Sequence, residues 1–360
     1  MRNGNAVILG GGRYIQDKDA LERVGEETKY YGKKVFIIGG QTALEVSFNR
    51  IKESLDSEKI DYHVHTFKGY CSMSQINKIS EEAKTYGADI IIGVGGGKCL
   101  DTAKSVANTL NLRVITIPTS AATCAAYATL CVLYSDEGEV LGNLFNKREM
   151  AAIIVDMDVI TQRCPTRMLA SGIGDAVAKY PELAYSMEYA PNWEKSVLPA
   201  NAFNISKSNM ELLMQKGYNA VEYVKKHRNS SDVEDVVCTN IAMTGIVSSL
   251  ASGGKQLAMA HTVYDCTCAH FKEHRAKYLH GELVSAAIPL QMAVNGFSKD
   301  SIDGMKGFLR SINVPASLTD IRLEATDKNI ETILKYINEK MDLGSEKMVK
   351  RVRECIEVIF

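Results

Sequence analysis

Through the first part of the chain, short apolar runs alternate with longer stretches whose apolar residues recur at helical spacing. Ala6–Leu9, Lys34–Ile38, Tyr62–His65, Ile90–Ile92 and Val114–Ile117 read as strands, and segments 19–31, 41–55, 73–86 and 98–110 as the helices between them. Strands this uniformly apolar are covered on both faces, which predicts a parallel sheet with crossover helices on either side. A further pair, Thr129–Tyr134 and Met150–Val155, flanks the turn Ser135-Asp136-Glu137-Gly138 and predicts either a hairpin-type insertion or a return into the sheet. After Asp156 the strand signal almost vanishes. Helical periodicity then runs over 159–189, 194–227, 232–252, 254–270, 280–297, 301–312 and 327–357. Cys164-Pro165-Thr166 interrupts the pattern, so we divide the chain into an α/β domain over 1–162 and an all-α domain over 163–360.

Two domains suit a chain of 360 residues, which is long for one ordinary core. The net charge of -1 gives no electrostatic case for nucleic acid or an anionic membrane surface. The start Met1-Arg2-Asn3-Gly4 does not read as a signal peptide, and no apolar run approaches the ~18 residues of a membrane span. Nine cysteines without a C-x-x-C pair read as reduced thiols, mostly core filler, in a cytoplasmic protein.

The chemistry begins at Gly93-Val94-Gly95-Gly96-Gly97-Lys98, which joins the Asp89–Ile92 run to a helical pattern. Such a turn leaves backbone N–H groups uncovered at the positive end of a helix dipole, where a pyrophosphate settles. A P-loop is excluded, because Ile92 stands where its first glycine belongs and Cys99 where its magnesium-binding hydroxyl belongs. A second loop, Ile117-Pro118-Thr119-Ser120-Ala121-Ala122-Thr123-Cys124, follows the next strand at the same sheet edge. Its small and hydroxyl side chains let a flat ring or a phosphate approach the backbone. The expected active site is a cleft between the two domains, at the carboxyl ends of the strands.

The helical half contributes Gly172-Ile173-Gly174-Asp175-Ala176, Ala260-His261-Thr262 and His280-Gly281-Glu282. One carboxylate with two imidazoles leaves metal positions open to water or substrate, as in catalytic sites. Spacing alone does not decide this, since an Asp or His in a helix is also commonly a cap or a satisfied polar residue. His270 and His274, near Cys266 and Cys268, form a second cluster, but their spacing matches no zinc-finger pattern. His63, His65 and His227 read as solvated or structural.

Taken together, Gly95-Gly96-Gly97-Lys98-x-x-Asp101-x-x-Lys104, Pro118-Thr119, Gly172–Ala176 and His280-Gly281-Glu282 resemble the iron-containing alcohol dehydrogenase superfamily, and within it the glycerol dehydrogenase branch. The order and spacing of these blocks extend the resemblance over essentially the whole chain. It implies a dehydroquinate synthase-like fold, with an N-terminal nucleotide-binding α/β domain and a C-terminal all-α metal domain. It also implies a metal-dependent, NAD(P)-linked oxidoreductase that interconverts a small alcohol, a polyol or hydroxy acid, with its carbonyl. Carried over by position, Asp175, His261 and His280 would hold one divalent metal, zinc or iron. The cofactor would meet Gly39, Gly95, Gly96, Gly97, Lys98, Asp101, Thr119, Ser120 and Ala122, with Leu130 and Tyr134 near the nicotinamide. The partners implied are a small-molecule substrate and, as a homo-oligomer, further copies of the chain.

Two departures from the family pattern bear on specificity. Cys124 stands where glycerol dehydrogenases carry an aspartate that contacts the polyol, and a thiol cannot accept from two hydroxyls as a carboxylate does. This argues against glycerol, and the Thr123-Cys124-Ala125-Ala126 version looks more like members that reduce 2-oxo acids. Ile38-Gly39-Gly40-Gln41 lacks the aspartate that NAD-preferring members place after the second strand, which leans the cofactor towards NADP. In addition, Pro181 is expected to kink or end the helix that carries Asp175. Other readings are glycerol dehydrogenase proper, a dehydroquinate synthase-type lyase and a non-catalytic nucleotide-binding module. The lyase lacks its histidine-rich metal helix here, and a binding module has no need of an open metal site.

Overall fold

The strands are β1 (Tyr14–Asp17), β2 (Lys34–Gly40), β3 (Asp61–Phe67), β4 (Ile90–Gly95), β5 (Arg113–Pro118), β6 (Leu130–Tyr134), β7 (Val140–Phe145) and β8 (Ala152–Asp156) in a computed structural model that describes residues 8–189, 197–251, 258–341 and 343–360. Ala6, Val7 and the first residues of the helices expected from 194 and from 254 lie outside the described residues. Six strands form one parallel sheet in the order β1-β8-β5-β4-β2-β3. Successive side chains of a strand point to opposite faces. Ile37, Ile92, Ile115 and Ile154 therefore join one core with Leu21, Ile51 and Leu55, while Phe36, Ile38, Ile91 and Ile153 are equally buried on the other face. That double burial is the reason these strands are apolar at every position.

The helices of this unit are α1 (Val24–Thr28), α2 (Gln41–Ser57), α3 (Met73–Tyr86) and α4 (Gly97–Leu110). Downstream come α5 (Thr166–Tyr189), α6 (Val197–Lys225), α7 (Ser231–Cys238), α8 (Thr244–Leu250), α9 (Met259–His270), α10 (Lys272–Lys277), α11 (His280–Ser285), α12 (Ile288–Asn295), α13 (Lys299–Ser311), α14 (Asp327–Lys340) and α15 (Glu346–Cys355). Contacts group Ala6–Thr166 with Tyr223–Ser249 as one compact unit, and Arg167–Glu222 with Leu250–Phe360 as another. The return of 223–249 to the sheet unit is anchored where Asn240 Nδ2 donates to the Ala121 carbonyl at 3.0 Å. A single cut at 162/163 does not express that return, because a buried helix has the same apolar pattern whichever core it joins. The stretch Ser231–Leu250 is long and apolar enough to cross a membrane by length and composition. Its Val233, Val236, Val237 and Ile241 are instead buried in the sheet unit's core.

Several sequence expectations differ from the structure. Of the first strand expected at Ala6–Leu9, only Ile8 and Leu9 are described: neither is in a strand, Leu9 is 50% exposed, and the chain enters the sheet only after the Gly10-Gly11-Gly12 turn. There Met150 N–H donates to the Gly10 carbonyl and Gly12 N–H to the Met150 carbonyl, so β1 begins beside β8. Of the two alternatives for the Thr129–Tyr134 and Met150–Val155 runs, the return into the sheet holds for the second run, and the two runs do not pair with each other. β6 pairs antiparallel with β7, and β8 returns to the main sheet. β7 was hidden because it is largely exposed and carries Gly142 at positive φ. Finally, α5 continues through Pro181 for 24 residues. Packing of its buried face outweighs one lost backbone hydrogen bond. Similarly, the segment expected as one helix over 327–357 is broken at Gly344, in the left-handed region, with Ser345 capping α15.

Candidate nucleotide edge and metal centre

The chain leaves β2 towards β3 and leaves β4 towards β5, so the neighbouring β2 and β4 form a topological switch point. Ligands of open parallel sheets settle at the carboxyl ends of such strand pairs, and both ends here are glycine. Gly95 has φ +148, a conformation that favours glycine, and Gly96 precedes the first turn of α4 with no side chain capping it. The first N–H groups of α4 thus keep their capacity to bind an anion. β5 carries the second loop to the same edge: Thr119 N–H donates to the Gly95 carbonyl at 3.1 Å. A Cβ on Gly97 would stand 3.5 Å from both Thr123 Oγ1 and Ala125 Cβ. The Gly95–Lys98 and Thr119–Cys124 loops are therefore brought together, with Ser120, Ala122 and Cys124 half-buried.

Lys98 Nζ sits 4.0 Å from the centre of the Tyr70 ring and 6.0 Å from that of Tyr134. Tyr70 escaped the sequence reading because nothing in its local pattern points to Lys98. Leu130 and Tyr134 open and close β6, both half-buried.

Asp101 is a correction. Its carboxylate does not face the loop surface but is buried, 2.9 Å from Lys104 Nζ and accepting from Val132 N–H at 3.0 Å. Lys104 in turn donates to the carbonyls of Ala125, Ala128 and Leu130 at 2.8, 2.8 and 2.9 Å. Burial alone would push the Lys104 ammonium down, but Asp101 overrides it and holds it above its ordinary value. The pair staples the second loop and β6 onto α4, so Asp101 positions the loops. Gly39 is also internal, paired with Thr66 and Val94, and a Cβ there would meet Leu44 Cγ at 2.5 Å. The open position at this strand end is Gly40.

In the helical unit, Asp175, His261 and His280 offer one ligand atom each, all within 4.8 Å of one another. Asp175 Oδ1 lies 3.2 Å from His261 Nε2 and 3.5 Å from His280 Nε2. Tetrahedral ligation at about 2.1 Å puts ligand atoms roughly 3.4 Å apart, which the two distances from Asp175 match. Two local devices hold them. Glu182, two turns after Asp175 on α5, accepts the Ala258 and His261 N–H groups at the start of α9 and lies 2.7 Å from His261 Nδ1. A carboxylate accepts only, so Nδ1 carries the hydrogen and Nε2 is the nitrogen left to ligate. Glu282 accepts Leu279 N–H at the start of α11 and is gripped bidentately by Arg167 at 2.6 Å. Gly281 allows α11 to approach α5, since a Cβ there would lie 1.8 Å from the Ser171 carbonyl.

Burial pushes the Asp175 carboxyl up, but Lys179 and the two rings outweigh it and hold it well below the usual carboxylate range. Burial dominates at His280 and lowers its ring below 6.5. At His261 burial also lowers the ring, yet the Glu182 and Asp175 carboxylates outweigh it and raise the ring above its ordinary value. Sequence reading missed Glu182 and Lys179 as site members. Their signal was present, as charged residues four and seven positions after Asp175 on an otherwise apolar helix. The other histidine cluster does not gather: His270 packs on Tyr336, and His274 faces the Arg322 carbonyl.

Residues 11–157 match the family model described as iron-containing alcohol dehydrogenase. Over 316 residues the chain is 30% identical to a glycerol dehydrogenase of Pseudomonas putida, covering 88% of this chain and 85% of that protein. The chain belongs to the iron-containing alcohol dehydrogenase superfamily. Within the superfamily it falls in the glycerol dehydrogenase-like branch. It is also 30% identical over 336 residues to a glycerol dehydrogenase of Thermotoga maritima, with 92% of this chain and 88% of that protein covered. The crystal structure of a Schizosaccharomyces pombe glycerol dehydrogenase superimposes with a TM-score of 0.86 at 24% identity, over 99% of this chain and 90% of that one. The parallel-sheet α/β domain with a helical C-terminal domain is thus the superfamily's dehydroquinate synthase-like fold. The protein is a metal-dependent, NAD(P)-linked alcohol oxidoreductase.

Proposed function

We propose that this oxidoreductase holds one divalent ion, zinc or iron(II), on Asp175, His261 and His280, and that it prefers NADP(H). The observation that carries the reading is the triad of one oxygen and two nitrogen donors within 4.8 Å of one another, with Asp175 and His261 buried and His280 half-buried. When bound, the ion supplies Lewis acidity, which favours loss of the alcohol's hydroxyl proton. Glu182 orients His261, and Glu282 with Arg167 orients the helix that begins at His280. Gly95, Gly96, Gly97 and Lys98, with Thr119, Ser120 and Ala122, hold the cofactor's phosphates, and Leu130 and Tyr134 border the nicotinamide. When bound, the nicotinamide would serve as acceptor for the hydride from the substrate's carbinol carbon, and the hydroxyl proton would pass to solvent. Cys124 borders the substrate.

Absorbance of the reduced nicotinamide, followed with zinc-, iron- or manganese-loaded protein against polyols, aldehydes and 2-oxo acids, tests this. Turnover is expected with at least one pair, and its absence despite bound metal and cofactor would overturn the reading. The cofactor preference has its own test. Gly40 has extended backbone (φ -65, ψ 145), stands before the first turn of α2, and has nothing closer than 3.9 Å to a built Cβ. Gly40→Asp therefore fits, caps α2, and places a carboxylate where a 2′-phosphate would be repelled. The NADP/NAD ratio of kcat/KM is expected to fall by about tenfold or more, a difference of ~1.4 kcal/mol. An unchanged ratio would refute the argument.

A further inference from the structure

The Lys98 ammonium lies against two aromatic rings that come from separate parts of the sheet unit. Tyr70 stands in the connection from β3 to α3, with the centre of its ring 4.0 Å from Nζ. Tyr134 closes β6, with its ring centre 6.0 Å from the same atom. The two ring centres are 5.6 Å apart, and the rings are tilted by 40°. The face of such a ring is negative, so an ammonium within about 6 Å of its centre is attracted. Lys98, Tyr70 and Tyr134 are all half-buried, which strengthens that attraction relative to open water.

The backbone around these rings is tied together at several points. Tyr134 N–H donates to the Cys71 carbonyl at 2.9 Å, which fixes β6 to the connection beside Tyr70. In the turn that follows β6, Asp136 Oδ1 accepts from the hydroxyls of Ser72 and Ser74. Ser72 also caps α3, accepting from Gln75 N–H. Gly138, in the same turn, packs against Tyr70. A Cβ on Gly138 would lie 2.3 Å from the tyrosine Cζ, so a glycine leaves the ring its room. The β3–α3 connection and the β6–β7 turn are thus closed on one another, and the Lys98 ammonium meets a ring from each side of the closure. A lysine carries its charge on a flexible stem, and ordering that stem when an anion binds costs affinity. Rings that hold the ammonium beforehand remove part of the cost.

We propose that Tyr70 is a positioning residue for the cofactor: with Tyr134 it seats the Lys98 ammonium at the glycine loop, ready for a phosphate of NADP(H). This rests on the reading above in which Lys98 meets the cofactor's phosphates. It extends that reading to a residue outside the glycine loop, whose ring acts through Lys98.

Fluorescence titration of NADPH into the full chain gives its Kd for native protein, Tyr70→Phe, Tyr70→Leu and Lys98→Met, with thermal melting of each. Lys98→Met is expected to weaken NADPH binding by about tenfold or more, as for the loss of a charged hydrogen-bond donor. Tyr70→Phe keeps a ring face and should bind within about twofold of native protein. Tyr70→Leu should lose about fivefold, the effect of a partly shielded cation–ring contact. In the Lys98→Met background the same leucine should cost nothing further, because its effect passes through the ammonium. If the leucine variant fails to fold, a trifluorinated phenylalanine in place of Tyr70 keeps the shape and drains the ring face of negative charge. Its loss relative to Tyr70→Phe should again be about fivefold. A fluorinated ring that binds NADPH as Tyr70→Phe does overturns the proposal. An equal loss from Tyr70→Leu with and without Lys98 overturns it too. Unchanged binding in Tyr70→Leu beside a weakened Lys98→Met sinks this inference alone, whereas unchanged binding in Lys98→Met sinks the underlying reading of Lys98.

Discussion

His261→Ala is expected to abolish metal retention while NADP(H) binding survives. Three donors leave no reserve, and the alanine removes one nitrogen. Losing even a residue that merely orients a ligand costs about 10- to 100-fold in metal affinity, so losing the ligand itself should exceed that range. A second consequence follows from Glu182, which is fully buried and meets the His261 ring and two N–H groups. With the ring gone its carboxylate keeps only the N–H groups, so thermal stability should fall as well. Metal analysis after dialysis against a weak chelator, with NADPH fluorescence titration on the same sample, checks both statements. Full metal occupancy in the variant would refute the ligand assignment. Asp175→Ala should behave alike for the metal, and its removal also withdraws the carboxylate facing Lys179.

Lys104→Met is expected to produce the largest loss of stability among substitutions remote from the metal. The methionine matches the lysine in length but leaves the Asp101 carboxylate buried without its cation and three carbonyls without their donor. Breaking a buried ion pair from one side typically costs ~3–5 kcal/mol. Urea unfolding should show a loss of that order. The loss should shrink at low pH, where the carboxyl of Asp101 takes up a proton. Adding Asp101→Asn should restore part of the stability, and the double-mutant cycle then isolates the pair. Because the three carbonyls belong to the second loop and β6, NADP(H) binding should weaken even though Lys104 touches no ligand. Unfolding within ~1 kcal/mol of the native protein would show that the staple is dispensable, against the cost expected for a one-sided break.

Much of this was legible beforehand. Continuous apolar strands, glycines at a strand-to-helix turn and an Asp, His and His in their blocks are local chemistry, written in adjacent residues. Their consequences, such as a φ of +148 at Gly95 or an uncapped first turn of α4, follow from the nature of those residues wherever the segment lies. Less legible was the fate of polar side chains. Asp101 looked like a ligand contact because it follows the glycine loop, but the helix turns it inward to Lys104. Glu182 and Lys179 drew attention only for the proline between them, although both share a helix face with Asp175.

The sequence by itself determined the alternation that builds a parallel sheet, the anion-binding turn at Gly95–Lys98, the three donors and the superfamily. Backbone conformation and side-chain chemistry act over a few residues, so spacing records them. Tertiary structure alone decided that β1 lies beyond the glycine turn, that 223–249 returns to the sheet unit, that Asp101 is a staple, and that Lys179 and Glu182 flank the donors. Those outcomes depend on which faces meet between segments far apart in the chain, 79 residues for Glu182 and His261 and 82 for Lys179 and His261, and on the cost of leaving a buried charge unpaired.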